Sequence, residues 1–204
     1  MKLGIFGGTF DPVHNAHLFV AESARRLEDL DRVIFVPTRR GHHREAARAD
    51  ATTRCAMIVR AIAGNPNFAL DRTDLADDAT GFTADLLLRL RKRYSADDFI
   101  FIAGADSLAS RAWLRLEEVL SNLERFVIAP RADVDQEALA AVLDGLPSPL
   151  RRKVRILDVP EVPQSARLIR TLLSQGKNIR YLVPEPVWRY VDEHPVYALR
   201  NGER

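Results

Sequence analysis

Cysteine is nearly absent: Cys55 is the only one in 204 residues, so no disulfide can form within the chain. A lone thiol fits a reducing cytosol. An excess of one charge is also lacking. With 30 Lys and Arg against 28 Asp and Glu, the net charge is +2, and composition makes no case for a nucleic-acid partner. Basic pairs such as Arg39-Arg40 and Arg151-Arg152 read as solvated surface. No apolar run approaches the roughly 20 residues of a membrane span. The N-terminus is broken by glycines at once, unlike a signal peptide. A cytoplasmic protein with no membrane partner is expected. G-x-G-x-x-G, G-x-x-x-x-G-K-[ST] and G-x-S-x-G are missing too. Their absence removes the usual equipment for hydride transfer, γ-phosphate hydrolysis and serine nucleophilic catalysis.

What is present is ordinary globular material, 47% hydrophobic and 28% charged. One domain over 1–204 is expected, with 160–204 forming a C-terminal helical part. Strand-like runs fall at Lys2–Phe6, Arg32–Pro37, Phe68–Arg72, Asp98–Ala103, Phe126–Ala129 and Val154–Val159. Helical patterns lie between them at His17–Leu30, Thr52–Ala63, Gly81–Tyr94, Asp106–Ser121 and Gln136–Leu143. This alternation predicts an α/β, Rossmann-like parallel sheet with helices on both faces. Leu143–Arg152 reads as a plain connection. Ser165–Gln175 reads as a helix capped by Ser165 and stopped by Gly176. Pro184 or Pro186 then opens a last helix ending near His194.

The most informative stretch is the opening one, where Lys2–Phe6 runs into Gly7-Gly8-Thr9-Phe10-Asp11-Pro12-Val13-His14-Asn15-Ala16-His17. Glycines admit a close backbone approach to an anion. Thr9 offers a hydroxyl, and the N-terminus of the following helix offers N–H groups and a positive dipole end. His14 and His17, three apart, share a helix face. No companion Cys, Asp or Glu at ligand spacing accompanies them, so no protein metal site is expected. Thr38–Asp50, rich in Arg and His, reads either as a solvated loop or as a flap over an anionic substrate.

Further segments stand in order behind this run. They are Phe35-Val36-Pro37 followed by His43-Arg44, Arg54 with Met57, and Phe82-Thr83-Ala84-Asp85. Then come Gly104-Ala105-Asp106-Ser107-Leu108 with Trp113, and Ile179-Arg180-Tyr181-Leu182-Val183-Pro184. The ordered set resembles the bacterial nicotinate-nucleotide adenylyltransferases of the T/H-x-G-H nucleotidyltransferase superfamily, over nearly the whole chain. The matching family segments are F-V-P…P-P-H-K, R-x-x-M, Y-T-x-D, G-A-D-S-L…W and I-R-Y-L-V-P.

The resemblance implies direct in-line transfer of adenylate from ATP to nicotinate mononucleotide, with Mg²⁺ accompanying the ATP. It implies catalytic roles for His14 and His17. It implies ATP contacts from those histidines, Gly7, Gly8, Thr9, Phe10, Gly104, Asp106, Ser165, Arg167 and Arg170, with Asp106 on the ribose hydroxyls. It implies acceptor contacts from His43, Arg44, Thr83, Trp113 and Arg131, with Trp113 stacked on the pyridine ring. Three positions depart from the family pattern. Ala16 replaces the motif glycine, Gly41-His42 replace two prolines, and Gln164-Ser165-Ala166-Arg167-Leu168-Ile169-Arg170 replaces I-S-x-T-x-x-R. Arg167 thus stands where the family has threonine, three residues from Arg170. Other readings stay open: preference for nicotinamide mononucleotide, another small phosphorylated acceptor such as phosphopantetheine, or a nucleotide-binding regulator.

Overall fold

Six short apolar strands make one parallel sheet in a computed structural model that describes residues 1–39, 47–94, 98–109, 113–131, 134–194 and 196–197. They are β1 (Lys2–Gly8), β2 (Arg32–Pro37), β3 (Phe68–Leu70), β4 (Asp98–Gly104), β5 (Arg125–Ala129) and β6 (Val154–Ile156). Their order is β3-β2-β1-β4-β5-β6, and each neighbouring pair is parallel. The helices in chain order are α1 (Asn15–Leu27), α2 (Ala51–Ile62), α3 (Thr83–Arg93), α4 (Ala105–Ala109) and α5 (Leu116–Ser121). They continue with α6 (Gln136–Asp144), α7 (Ser148–Arg151), α8 (Ala166–Ser174) and α9 (Glu185–Glu193).

The central strands are buried without alternation, as Phe99–Ala103 illustrates. That pattern requires cover on both faces. Leu3, Ile5, Phe99, Phe101, Phe126 and Ile128 turn to a core shared with α3, α4, α5 and α6. Phe6, Val33, Phe35, Ile100, Ile102 and Val127 turn to the opposite core, shared with α1, α2, α8 and α9. Each such side chain contributes about 1.5–3 kcal/mol on burial, so packing on two faces keeps the sheet a firm base for the loops above it. α1 turns Ala16, Ala21 and Ala24 inward, small residues that let it lie close to the strands.

Several boundaries differ from the sequence reading. Asp106–Ser121 is not one helix. It is split into α4 and α5, and Arg115 enters α5 at φ 62. A left-handed residue cannot continue a right-handed helix, so α5 does not reach back to Trp113. The connection after α6 contains the single turn of α7. β3 and β6 end earlier than their apolar runs, at Leu70 and Ile156, while β1 and β4 continue to Gly8 and Gly104. α1 begins at Asn15 rather than His17. Ser165 does cap α8, accepting from the Leu168 N–H at 3.2 Å. Gly176 follows that helix at φ 67.

Strand order reverses between β1 and β4. In open parallel sheets ligands bind beyond the strand carboxyl ends at such a reversal. The segment leaving β1 carries His14 and His17, and the end of β4 carries Gly104 and Asp106.

Candidate active site

Two aromatic rings enforce the glycines at the exit of β1. A Cβ at Gly7 would lie 2.8 Å from the Phe101 ring, and one at Gly8 would lie 3.1 Å from the Phe10 ring. Phe10 adopts φ 50 and buries its ring against Phe6, Phe35 and His17. What Phe10 can offer a nucleotide is therefore its backbone. The Thr9 carbonyl accepts from Arg54 Nη1 at 2.7 Å. Among the described residues nothing bonds the Thr9 hydroxyl.

His14 and His17 stack with ring centroids 3.6 Å apart. The His14 backbone N–H donates to His17 Nδ1 at 3.2 Å. That nitrogen must carry a lone pair, so the proton of a neutral His17 sits on Nε2. His14 is 1% exposed, and among the described residues neither of its ring nitrogens has a hydrogen-bond partner. Burial, and after it the charge of Arg131, push its pKa from 6.5 down to about 3. His14 is a neutral imidazole with one N–H to donate. Two unpartnered nitrogens on a buried ring are costly unless a ligand meets them.

The α1 N-terminus is not the open anion site that the sequence suggests. Its first N–H, from Asn15, donates to the Leu182 carbonyl at 3.1 Å. The second, from Ala16, donates to Gln164 Oε1 at 3.2 Å, and the third, from His17, donates to the His14 carbonyl at 2.9 Å. Asn15 Nδ2 also donates to the Tyr181 carbonyl at 2.7 Å. Ala16 sits in ordinary helix, outside the positive-φ residues, so its methyl carries no backbone strain.

α8 is different. Ser165 takes the Leu168 N–H. None of the described residues accepts from the N–H groups of Ala166 or Arg167. Arg170 reaches back to the β1 exit and donates from Nη1 to the Asp11 carbonyl at 2.7 Å. Arg167 is exposed, and among the described residues it has no ion-pair or hydrogen-bond partner. Arg131 Nη1 donates to the Gln164 carbonyl at 2.8 Å, and its Nε lies 3.8 Å from Asp106 Oδ1. A side chain at Gly104 would collide with the Asp106 carboxylate. Arg131 therefore sits with the residues expected to hold ATP, beside His14 and Asp106, rather than with Thr83 and Trp113.

Those two lie at a second cluster. Thr83 opens α3, whose first turn is bound by Asp85 to Arg115 at 2.7 Å. Trp113, two residues before Arg115, donates from Nε1 to Ser107 Oγ at 3.0 Å and packs edge-on to Phe101 and Phe126. The ring is pinned as well as half-buried. His43 and Arg44, with Gly41 and His42, lie outside the described residues.

Four residues given no role by the sequence hold the site together. The buried Asp11 carboxylate accepts from the N–H groups of Arg48 and Ala49 at 2.8 and 3.2 Å, and from the Tyr197 hydroxyl at 2.7 Å. Burial and this carboxylate raise the Tyr197 pKa. Arg54, 2% exposed, lies under the turn, and Gln164 joins α1, α8 and the tail. Only Arg54 had a signal, through R-x-x-M. Among the described residues no cluster of His, Cys, Asp and Glu could hold a metal ion.

A sequence model of the cytidylyltransferase-like family matches residues 5–172. A protein of Lachnoclostridium phytofermentans described as a probable nicotinate-nucleotide adenylyltransferase is 34% identical over 198 residues, covering 96% of this chain and 98% of that one. One of the same description from Mycolicibacterium vanbaalenii is 37% identical over 200 residues, covering 96% and 92%. The solved nicotinic acid mononucleotide adenylyltransferase of Plasmodium falciparum, complexed with NaAD, matches with a TM-score of 0.76 over 96% of this chain and 97% of that one. At 20% identity that likeness speaks for the fold alone. Relatedness along nearly the whole length of both bacterial proteins makes this chain a member of the nicotinate-nucleotide adenylyltransferase family, within the cytidylyltransferase-like group.

Proposed function

We infer that this chain transfers the adenylyl group of ATP to nicotinate mononucleotide, giving nicotinate adenine dinucleotide and pyrophosphate, a step in NAD biosynthesis. The observation that carries the reading beyond kinship is the His14–His17 stack. It presents, at the sheet's reversal point, a buried neutral ring whose two nitrogens have no partner among the described residues, with Arg131 and Arg170 on the flanking segments.

The chemistry follows from these groups. An oxygen of the acceptor phosphate attacks the α-phosphorus of ATP. The bond from that phosphorus to the bridging oxygen breaks, and its electron pair leaves with pyrophosphate. A phosphate monoester is already ionised near pH 7, so no base need remove a proton. The work is positioning and the stabilisation of charge. His17 donates from Nε2, and His14 donates one ring N–H. Gly7, Gly8 and Thr9 line the phosphate turn. Asp106, given room by Gly104, receives the ribose hydroxyls. Ser165, the N–H groups opening α8, Arg167 and Arg170 receive the β- and γ-phosphates, and Arg131, held at Gln164 beside Asp106, joins them on the triphosphate. Mg²⁺ on the triphosphate offsets part of its charge. The nitrogen-rich side chains here suit phosphate oxygens, so the ion would be held chiefly by ATP.

His43 and Arg44 are assigned to the acceptor phosphate, and Thr83 and Trp113 to its ring. A ring carboxylate at the start of α3 gains more from that helix end than a neutral amide does. We assign the protein to a reducing cytosol, where its lone thiol is stable. The test is pyrophosphate release from ATP with a panel of acceptors. Turnover with nicotinate mononucleotide is expected, at a higher kcat/KM than with the amide. No turnover with any pyridine mononucleotide, in folded protein, overturns the reading. A preference for the amide keeps the reaction and replaces the acceptor.

A further inference from the structure

Gln164 bonds three separate parts of the site at once. Its Oε1 accepts from the Ala16 N–H at 3.2 Å, and its Nε2 donates to the Leu182 carbonyl. Its own carbonyl accepts from Arg131 Nη1 at 2.8 Å. The residue is 8% exposed, and its chain neighbour Ser165 caps α8. The Leu182 carbonyl also accepts from the Asn15 N–H at 3.1 Å, so one amide closes the first turn of α1 from two sides.

Every segment joined here bears a group assigned to the triphosphate. α1 brings His14 and His17, the segment after β5 brings Arg131, and α8 brings Ser165 and Arg170. An apolar side chain of equal volume would fill the same space. It would leave the Ala16 N–H unpaired and the three segments free to shift against one another. Ala16, which stands where the family pattern has glycine, is thus held to Gln164 by one hydrogen bond. We propose that Gln164 is a positioning residue for adenylyl transfer, setting the histidines of α1 against Arg131 and the start of α8 so that all three segments grip one triphosphate. The proposal rests on the reaction inferred above.

Gln164→Leu keeps volume without polarity. Gln164→Asn keeps the amide but falls one methylene short. Both are compared with wild type by steady-state kinetics in each substrate, hydrogen exchange at the Ala16 amide, and thermal melting. In folded variants the Ala16 amide should exchange faster and the ATP KM should rise about tenfold, with the acceptor KM within about twofold, because small misplacements cost rate and affinity steeply. An unchanged ATP KM despite faster exchange at Ala16 overturns the proposal and leaves the bond purely structural. A loss shared equally by both substrates and tracking the melting temperature overturns it too. If wild type itself shows no turnover, the inferred reaction falls separately. ATP affinity by calorimetry then decides, and equal Kd values for wild type and Gln164→Leu sink the positioning role.

Discussion

Two helices begin at this site, and they face it in opposite ways. At α1 the first three N–H groups are already bonded to Leu182, Gln164 and His14, so its contribution must come through the side chains of His14 and His17. At α8 Ser165 closes only the third N–H, and among the described residues the first two lack acceptors. α8 can therefore meet an anion with its backbone, and Arg170 adds a charge beside it. In the proposed reaction the same local element serves once as a mount for the two histidine rings and once as an anion receptor. A helix start near glycines says nothing about which of the two it is.

The largest test of this division is His17→Ala. If α1 acts through its rings, kcat should fall by ~10²–10³, the usual cost of removing one donor that stabilises developing charge. A variant within a fewfold of wild type would return the anion to the α1 backbone. Next come the arginines of α8. Arg170→Ala should raise the ATP KM about tenfold or more, the scale of a lost charge-assisted hydrogen bond. Arg167→Ala should raise it less, because that side chain is exposed. An unchanged KM removes Arg167 from the phosphate site.

A smaller effect sharpens the contrast in charge. His14 takes up a proton below pH 6.5 when unfolded but only below about pH 3 when folded. Between those values the unfolded chain holds the extra proton, so stability falls as pH falls, by up to about 1.4 kcal/mol per pH unit. Urea unfolding at pH 4.5 and 6 should show that slope in wild type and a shallower one in His14→Asn. Equal slopes would mean that His14 ionises normally and that α1, like α8, presents a cation. The smallest effect belongs to Ala16→Gly. The N–H stays, so the ATP KM should hold within about twofold while stability drops about 0.5–1 kcal/mol. A large change in KM would show that the methyl itself meets the ligand.

Much of the fold was legible because parallel strands buried on both faces announce themselves as apolar runs, as Phe99–Ala103 does. Asp106–Ser121 misled because its helical pattern runs across the gap between α4 and α5, and the left-handed backbone of Arg115, at which α5 starts, has no signal in composition. The two histidines, Asp106, Ser165 and Arg170 were visible as motif residues. Asp11, Gln164 and Tyr197 were not, because Asp11 and Gln164 act on backbone groups and Tyr197 acts only through Asp11. A carbonyl or an N–H has no letter in the sequence. The closure of α1 was hidden for the same reason, with the partner of Ala16 148 positions away.

That separation bears on how the protein is made. Asn15 waits for Tyr181 and Leu182, Ala16 for Gln164, and Asp11 for Arg170 and Tyr197. Contacts so distant along the chain are the slow ones to form. While the chain leaves the ribosome from its N-terminus, β1, β2 and β4 can pair long before residue 160 has been added. The turn after β1 and the start of α1 are completed by residues 164–197. A nascent chain stalled short of α8 would carry both histidines yet lack the groups that bond their segment, and activity would be acquired only once residues 164–197 have been added.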